Sequence, residues 1–153
     1  MHYMNFNNVV LVILLIISFN LFAGETTPLS RVELMTLGEI TYKTCAVCHG
    51  MKGQGNQLFA PPLTNNSVVN GSIYPLISAV IEGIAESKYS QWQSYMPSWS
   101  EVFSNNELAS VITFIRNSLG NSLGDTIQPS NINIAKNLYN AIRGAKLTGH
   151  KNT

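Results

Sequence analysis

Charge is what this sequence has least of. Lys, Arg, Asp and Glu make up 11% of its 153 residues, less than half of the roughly 25% in an ordinary soluble protein. Nine basic against eight acidic residues leave a formal charge of +1, too weak a field to hold nucleic acid. Two cysteines exclude a multi-bridge disulfide scaffold. Three histidines, one of them His2, leave little for a site built from several imidazoles. Internal repeats and strand-like alternation of any useful length are missing too, which argues for an all-α body. Polarity comes instead from neutral side chains, because the 17 asparagines equal all the charged residues together.

The chain does have one long apolar run, at its start. Val9 to Ile17 contains no polar residue, and the apolar character continues to Ala23. That is about fifteen positions, where a membrane-spanning helix wants about 20 and a secretory h-region 7 to 15. Residues 1–23 are expected to be a signal peptide, with an uncleaved N-terminal membrane anchor as the other reading. No Lys or Arg precedes Val9, and the large Leu21 stands in the third position before a cut after Ala23, so the cleavage site is soft. Either reading places the remainder outside the cytoplasm, where cysteines are oxidised, capped or covalently used.

Residues 24–30 read as a tether, 31–121 as the domain, and 122–153 as a C-terminal extension. Arg31 to Cys45 has helical spacing at Leu34, Leu37, Gly38, Thr41, Tyr42 and Cys45, opened by a Ser30/Glu33 capping box. Residues 49–63, with three Gly and two Pro, predict a loop. A second helix is expected over 74–84, and a loop carrying both Trp over 85–103. Ser104 to Leu119 is the clearest helix, capped by Ser104 with Glu107 and ended by Gly120. A last helix over 130–147 carries Ile134, Leu138, Ala141, Ile142 and Ala145 on one stripe, to lie on the body or on a partner.

The chemistry is concentrated in Cys45-Ala46-Val47-Cys48-His49, the CxxCH pattern of covalent haem c attachment. At a helix end, positions i and i+3 set both thiols along one edge, where each can form a thioether to a haem vinyl group. His49 then offers its imidazole to the iron. The competing reading, a disulfide or thioredoxin-like CxxC, lacks the βαβ rhythm such motifs sit in. An axial histidine needs its second ring nitrogen engaged, and the Pro61 carbonyl is the expected acceptor; the bland reading of Pro61-Pro62 is a stiffened loop. For the sixth iron position the candidates are Met96, Met35, Met51 and His150. Met35 is ahead of the motif on the first helix, Met51 is too close to His49 to reach the opposite face, and His150 is in the C-terminal tail. Met96 lies in a long aromatic-rich loop beside Pro97 and is the expected ligand, against the ordinary use of Met as core filler. His/Met ligation leaves no open site, so electron transfer rather than catalysis is expected.

In order and separation, GEITYKTCAVCHGMKGQG, APPL at 60–63, PLISAVIEGI, MPSW at 96–99 and NELASVITFIRNSLGN at 106–121 resemble a class I cytochrome c. The similarity is to small bacterial periplasmic domains that accompany dehydrogenases and terminal oxidases, and it covers residues 34–121. It implies helices and loops wrapped around one haem c, with Cys45 and Cys48 on the vinyls and His49 and Met96 on the iron. It also implies that Pro61 accepts from His49, Leu63 packs on the macrocycle and Trp99 covers the haem. Gly38 and Tyr42 match the family's first-helix crossing with Phe114. Two departures stand out: Tyr42 is three residues before Cys45 where the family has four, and Leu119 replaces a frequent Trp.

The expected function is therefore a one-electron carrier between a donor dehydrogenase and an acceptor such as a terminal oxidase. The alternative is a haem c subunit bound within such a complex. A haem enzyme of peroxidase type would need a vacant iron site. Tyr89, Trp92 and Tyr95 read either as propionate donors or as surface cover. Lys43, Lys52 and Lys88 read as a docking ring or as solvated charges.

Overall fold

The computed structural model describes residues 28–56, 59–85 and 95–149. Five helices occur among them: α1 (Arg31–His49), α2 (Ser67–Asn70), α3 (Ile73–Glu82), α4 (Asn105–Asn117) and α5 (Pro129–Gly149). Only isolated antiparallel bridges, Asn56 with Ala60 and Ile84 with Met96, stand outside helix and loop. The fold class is all-α, with the extra C-terminal helix in place. None of the described helices is long and apolar enough to cross a membrane.

Both sequence-derived capping boxes are formed. Ser30 N–H donates to Glu33 Oε2 at 2.8 Å while the Glu33 amide donates to Ser30 Oγ at 3.3 Å. Ser104 and Glu107 repeat the arrangement at 2.8 and 3.3 Å. Reading α1 as ending at Cys45 is corrected, because it continues through the whole attachment motif and stops at Gly50, whose φ of 76° ends it. α4 stops at Asn117, two residues short of the expected end. Leu119 there takes φ 58° before Gly120 at 84°, held by Thr64 Oγ1 donating to the Leu119 carbonyl at 2.7 Å. The short helix α2 is additional, capped by Asn66 Oδ1, which accepts from Val68 and Val69.

The core is the crossing of α1 on α4. A Cβ on Gly38 would run into the Ser110 carbonyl oxygen and lie 2.7 Å from Phe114 Cβ. Only glycine lets the two backbones approach this closely. One turn on, the Tyr42 and Phe114 rings meet at 5.5 Å and 40°, so the shorter spacing between Tyr42 and Cys45 still places the aromatic on its partner. Leu34, Ile77, Leu108, Ile112, Ile127 and Ile132 fill the space between the helices.

Arg116, only 3% exposed, ties the lower part together. Its guanidinium makes a 2.6 Å ion pair with Asp125 and donates to the Val69 and Gly71 carbonyls at 2.5 and 2.9 Å. Thr113 Oγ1 accepts from the Ile127 amide at 2.8 Å. These bonds carry the chain from α4 to α5, which packs on the body through Ile132 and Ala135. Of the two placements left open for the apolar stripe, the body is not the one taken, since Ile134, Leu138 and Ile142 are exposed.

Two outcomes are expected. Gly38→Ala should destabilise the haem-loaded protein by about 1 to 3 kcal/mol in denaturant unfolding, the usual cost of overpacking; unchanged stability would contradict the close crossing. The hydrogen bonds from Ser30 and Ser104 hold the Glu33 and Glu107 carboxyls below the ordinary carboxylate range. A depressed folded value means that the stabilisation is present above the unfolded value near 4.5 and is lost as pH falls through the folded one. Ser104→Ala should cost about 1 kcal/mol at neutral pH and progressively less on acidification.

Candidate functional site

The last turn of α1 presents the CxxCH motif. Cys45 is half-buried against the core, Cys48 is exposed, and both are free thiols. Burial pushes the Cys45 thiol up to about 11, so at neutral pH it is a protonated thiol rather than a reactive thiolate. Tyr42 Oη donates to the Gly50 carbonyl at 2.7 Å and pins the turn that follows His49. Its own hydroxyl is raised to about 12 by burial and keeps its proton for this bond.

His49 is the final residue of α1. Its Nδ1 lies 3.0 Å from the Pro61 carbonyl oxygen. A carbonyl can only accept, so Nδ1 carries the proton and Nε2 the lone pair. Burial lowers the His49 pKa, opposed by the Pro61 bond; the neutral, metal-ligating form is therefore favoured.

The Pro61 carbonyl is held by a loop that folds back on the motif. The Gly55 amide donates to the His49 carbonyl at 2.8 Å and the Leu63 amide to Gly53 at the same distance. Gly55, at φ 73°, has no room for a side chain, since a Cβ would sit 2.6 Å from the Ala60 carbonyl oxygen. Asn121 clamps the loop from the far side: its Nδ2 donates to the Leu63 carbonyl and its Oδ1 accepts from the Asn65 amide, both at 3.1 Å.

The remaining expected site residues belong to the hydrophobic core or pack against it. Leu63 is buried within it, and Cys45, Met96 and Trp99 pack against it half-buried. Met96 is fixed by its backbone, pairing with Ile84 at 2.8 and 3.0 Å. Trp99 stacks on Phe103 at 5.3 Å and its amide donates to the Val80 carbonyl at 3.1 Å. Met35 stands on α1 in partial cover, and Met51 is 68% exposed just beyond His49. Lys88, Tyr89, Trp92 and His150 lie outside the described residues. Among the described residues no group of three His, Cys, Asp or Glu could hold a metal ion.

Sequence reasoning passed over Tyr42 as an anchor for the motif, and over Asn121, Thr64 and Arg116. The long-range role of Asn121, 58 residues from Leu63, left no local trace.

Three comparisons with cytochrome c subunits are informative. The chain is 32% identical over 99 residues to the "Alcohol dehydrogenase (quinone), cytochrome c subunit" of Gluconacetobacter polyoxogenes, covering 62% of this chain and 21% of that protein. The same figures hold for the subunit of Komagataeibacter europaeus. For that of Gluconobacter oxydans (strain 621H) they are 31% over 107 residues, 61% and 20%. The chain thus spans about a fifth of the length of the curated relatives it matches. The family model for cytochrome c oxidase, cbb3-type, subunit III matches residues 33–115, more than half of the chain. The protein therefore belongs to that family of class I c-type cytochromes, a membership that implies haem c.

Proposed function

We propose that the protein carries one haem c, bound covalently through Cys45 and Cys48 and ligated by His49 and Met96, and passes single electrons within or beside a periplasmic dehydrogenase complex. The observation that carries this reading is the aimed imidazole: His49 closes α1 beside both thiols with Nδ1 engaged by Pro61 and Nε2 left to ligate. The residues fit the group. The two thiols are unbridged and three positions apart on a helix end, and Leu63, Met96 and Trp99 offer an apolar wall and a soft sulfur donor on one cluster.

When bound, the haem supplies a reversible one-electron couple whose potential is raised by His/Met ligation. The chain's part is positional. Pro61 fixes the His49 tautomer and strengthens its basicity. Leu63 and Trp99 exclude water from their side of the cluster, which favours the less charged redox state. If His49 and Met96 both held the iron, no position would remain for a substrate, and the protein would serve as a carrier rather than a catalyst. The named subunits of quinone alcohol dehydrogenases favour a dehydrogenase as the donor; the oxidase subunit that names the family favours a terminal oxidase as an acceptor. The choice between a subunit of the complex and a free shuttle is read from whether the native protein co-migrates with a dehydrogenase in size-exclusion chromatography.

The intact mass of exported protein should exceed that of the polypeptide by one haem, and it reports leader removal in the same measurement. Met96→Ala should lose the weak far-red absorption of sulfur ligation and bind CO promptly. An unchanged spectrum would remove Met96 from the iron. Replacing both Cys45 and Cys48 by Ala should give colourless protein with little helical circular dichroism, because the cluster then lines a cavity too large to collapse.

A further inference from the structure

The acidic and basic residues of this chain are segregated. All eight Asp and Glu lie between Glu25 and Asp125, so that with five Lys and Arg the first 125 residues carry −3. Residues 126–153 carry Lys136, Arg143, Lys146 and Lys151 with no acidic residue, a charge of +4. Most of that excess is on α5. The helix is held to the body at its first turns, by Ile132, Ala135 and the Lys136 Nζ bond to the Ser100 carbonyl at 3.1 Å. From Asn140 to Ala145 every residue is exposed. Ile134, Leu138 and Ile142, four residues apart and thus on one face, are 52%, 57% and 49% exposed.

We propose that α5 is a membrane-surface helix that lies on anionic lipid, with Ile134, Leu138 and Ile142 at the boundary between headgroups and acyl chains. A helix with an apolar stripe, basic residues and no acid has the composition of an interfacial helix. Arg143 is the exposed base on the free part of the helix and can carry its charge to a lipid phosphate on a long apolar stem, while Lys136 stays bonded to Ser100. A second copy of the chain is a poor occupant, since it would set +4 against +4. An acidic protein would answer the charge and leave the three aliphatic side chains without purpose. The lipid surface answers both. The architecture points the same way: Leu29 and Gln128 exchange hydrogen bonds at 3.0 and 3.1 Å, so a bilayer that held the apolar residues 9–23 would stand a short tether away from the start of α5.

Hydrogen exchange of the α5 amides tests this on the haem-loaded full chain, with vesicles of phosphatidylcholine alone or mixed with phosphatidylglycerol. Residues 1–23 contain no Lys, Arg, Asp or Glu, so attachment through them is indifferent to headgroup charge. Exchange over 137–145 should slow on the anionic vesicles only, and high salt should restore it. Leu138→Asp should abolish the protection, and Arg143→Glu should weaken the α5 contribution roughly tenfold or more. Both positions are exposed, and the haem spectrum should be unchanged in each variant, which separates failure here from failure of the haem assignment. Equal protection on neutral vesicles, protection that rises with protein concentration without lipid, or no protection on anionic lipid would each overturn the proposal.

Discussion

The missing side chain of Gly38 governs the geometry of the whole domain. Because Gly38 rests on the Ser110 carbonyl, α1 and α4 approach backbone to backbone, and that separation brings Tyr42 onto Phe114 one turn later. Tyr42 in turn grips the Gly50 carbonyl and fixes the terminal turn that holds Cys45, Cys48 and His49. The aim of the imidazole is thus set by a contact eleven residues upstream. Interiors are close-packed and transmit such displacements rather than absorb them.

A protein so poor in charge has to satisfy its irregular backbone by other means, and the asparagines do much of this. Asn66 caps α2, Asn117 accepts from Gly124 and Arg31, and Asn121 bridges the two loops beside α4. An amide both donates and accepts without the desolvation cost of an ion, which suits buried loop crossings where no sheet supplies partners. Arg116 is the exception. It is buried because its fork of donors has a complete set of acceptors, two carbonyls and the Asp125 carboxylate, and leaving any of them unpaired would be expensive.

Much of this could be read in the sequence where the signal is local. The capping boxes at Ser30 and Ser104, the helical spacing of α1, α3 and α4, and the CxxCH motif each depend on residues within a few positions of one another. The errors arose where distant parts of the chain decide. Reading α1 as ending at Cys45 missed that Gly50, not the motif, breaks the helix. α4 ends early because Thr64, far back in the chain, captures the Leu119 carbonyl. For α5 the choice between body and partner stayed open, because periodicity marks an apolar stripe without saying what covers it; Ile132 and Ala135, off the stripe, face the body. At the site, the bond between His49 and Pro61 follows from a loop of limited length with few acceptors, whereas the Asn121 clamp required the fold itself.

The exchange of hydrogen bonds between Leu29 and Gln128 sets the segment that enters α1 beside the segment that enters α5. A unit of that shape can be spliced into a longer polypeptide, or joined in series with others, without pulling on its interior. It is a natural cassette. Such portability offers a physical reason why the same module accounts for only about a fifth of the much longer subunits to which this chain is similar.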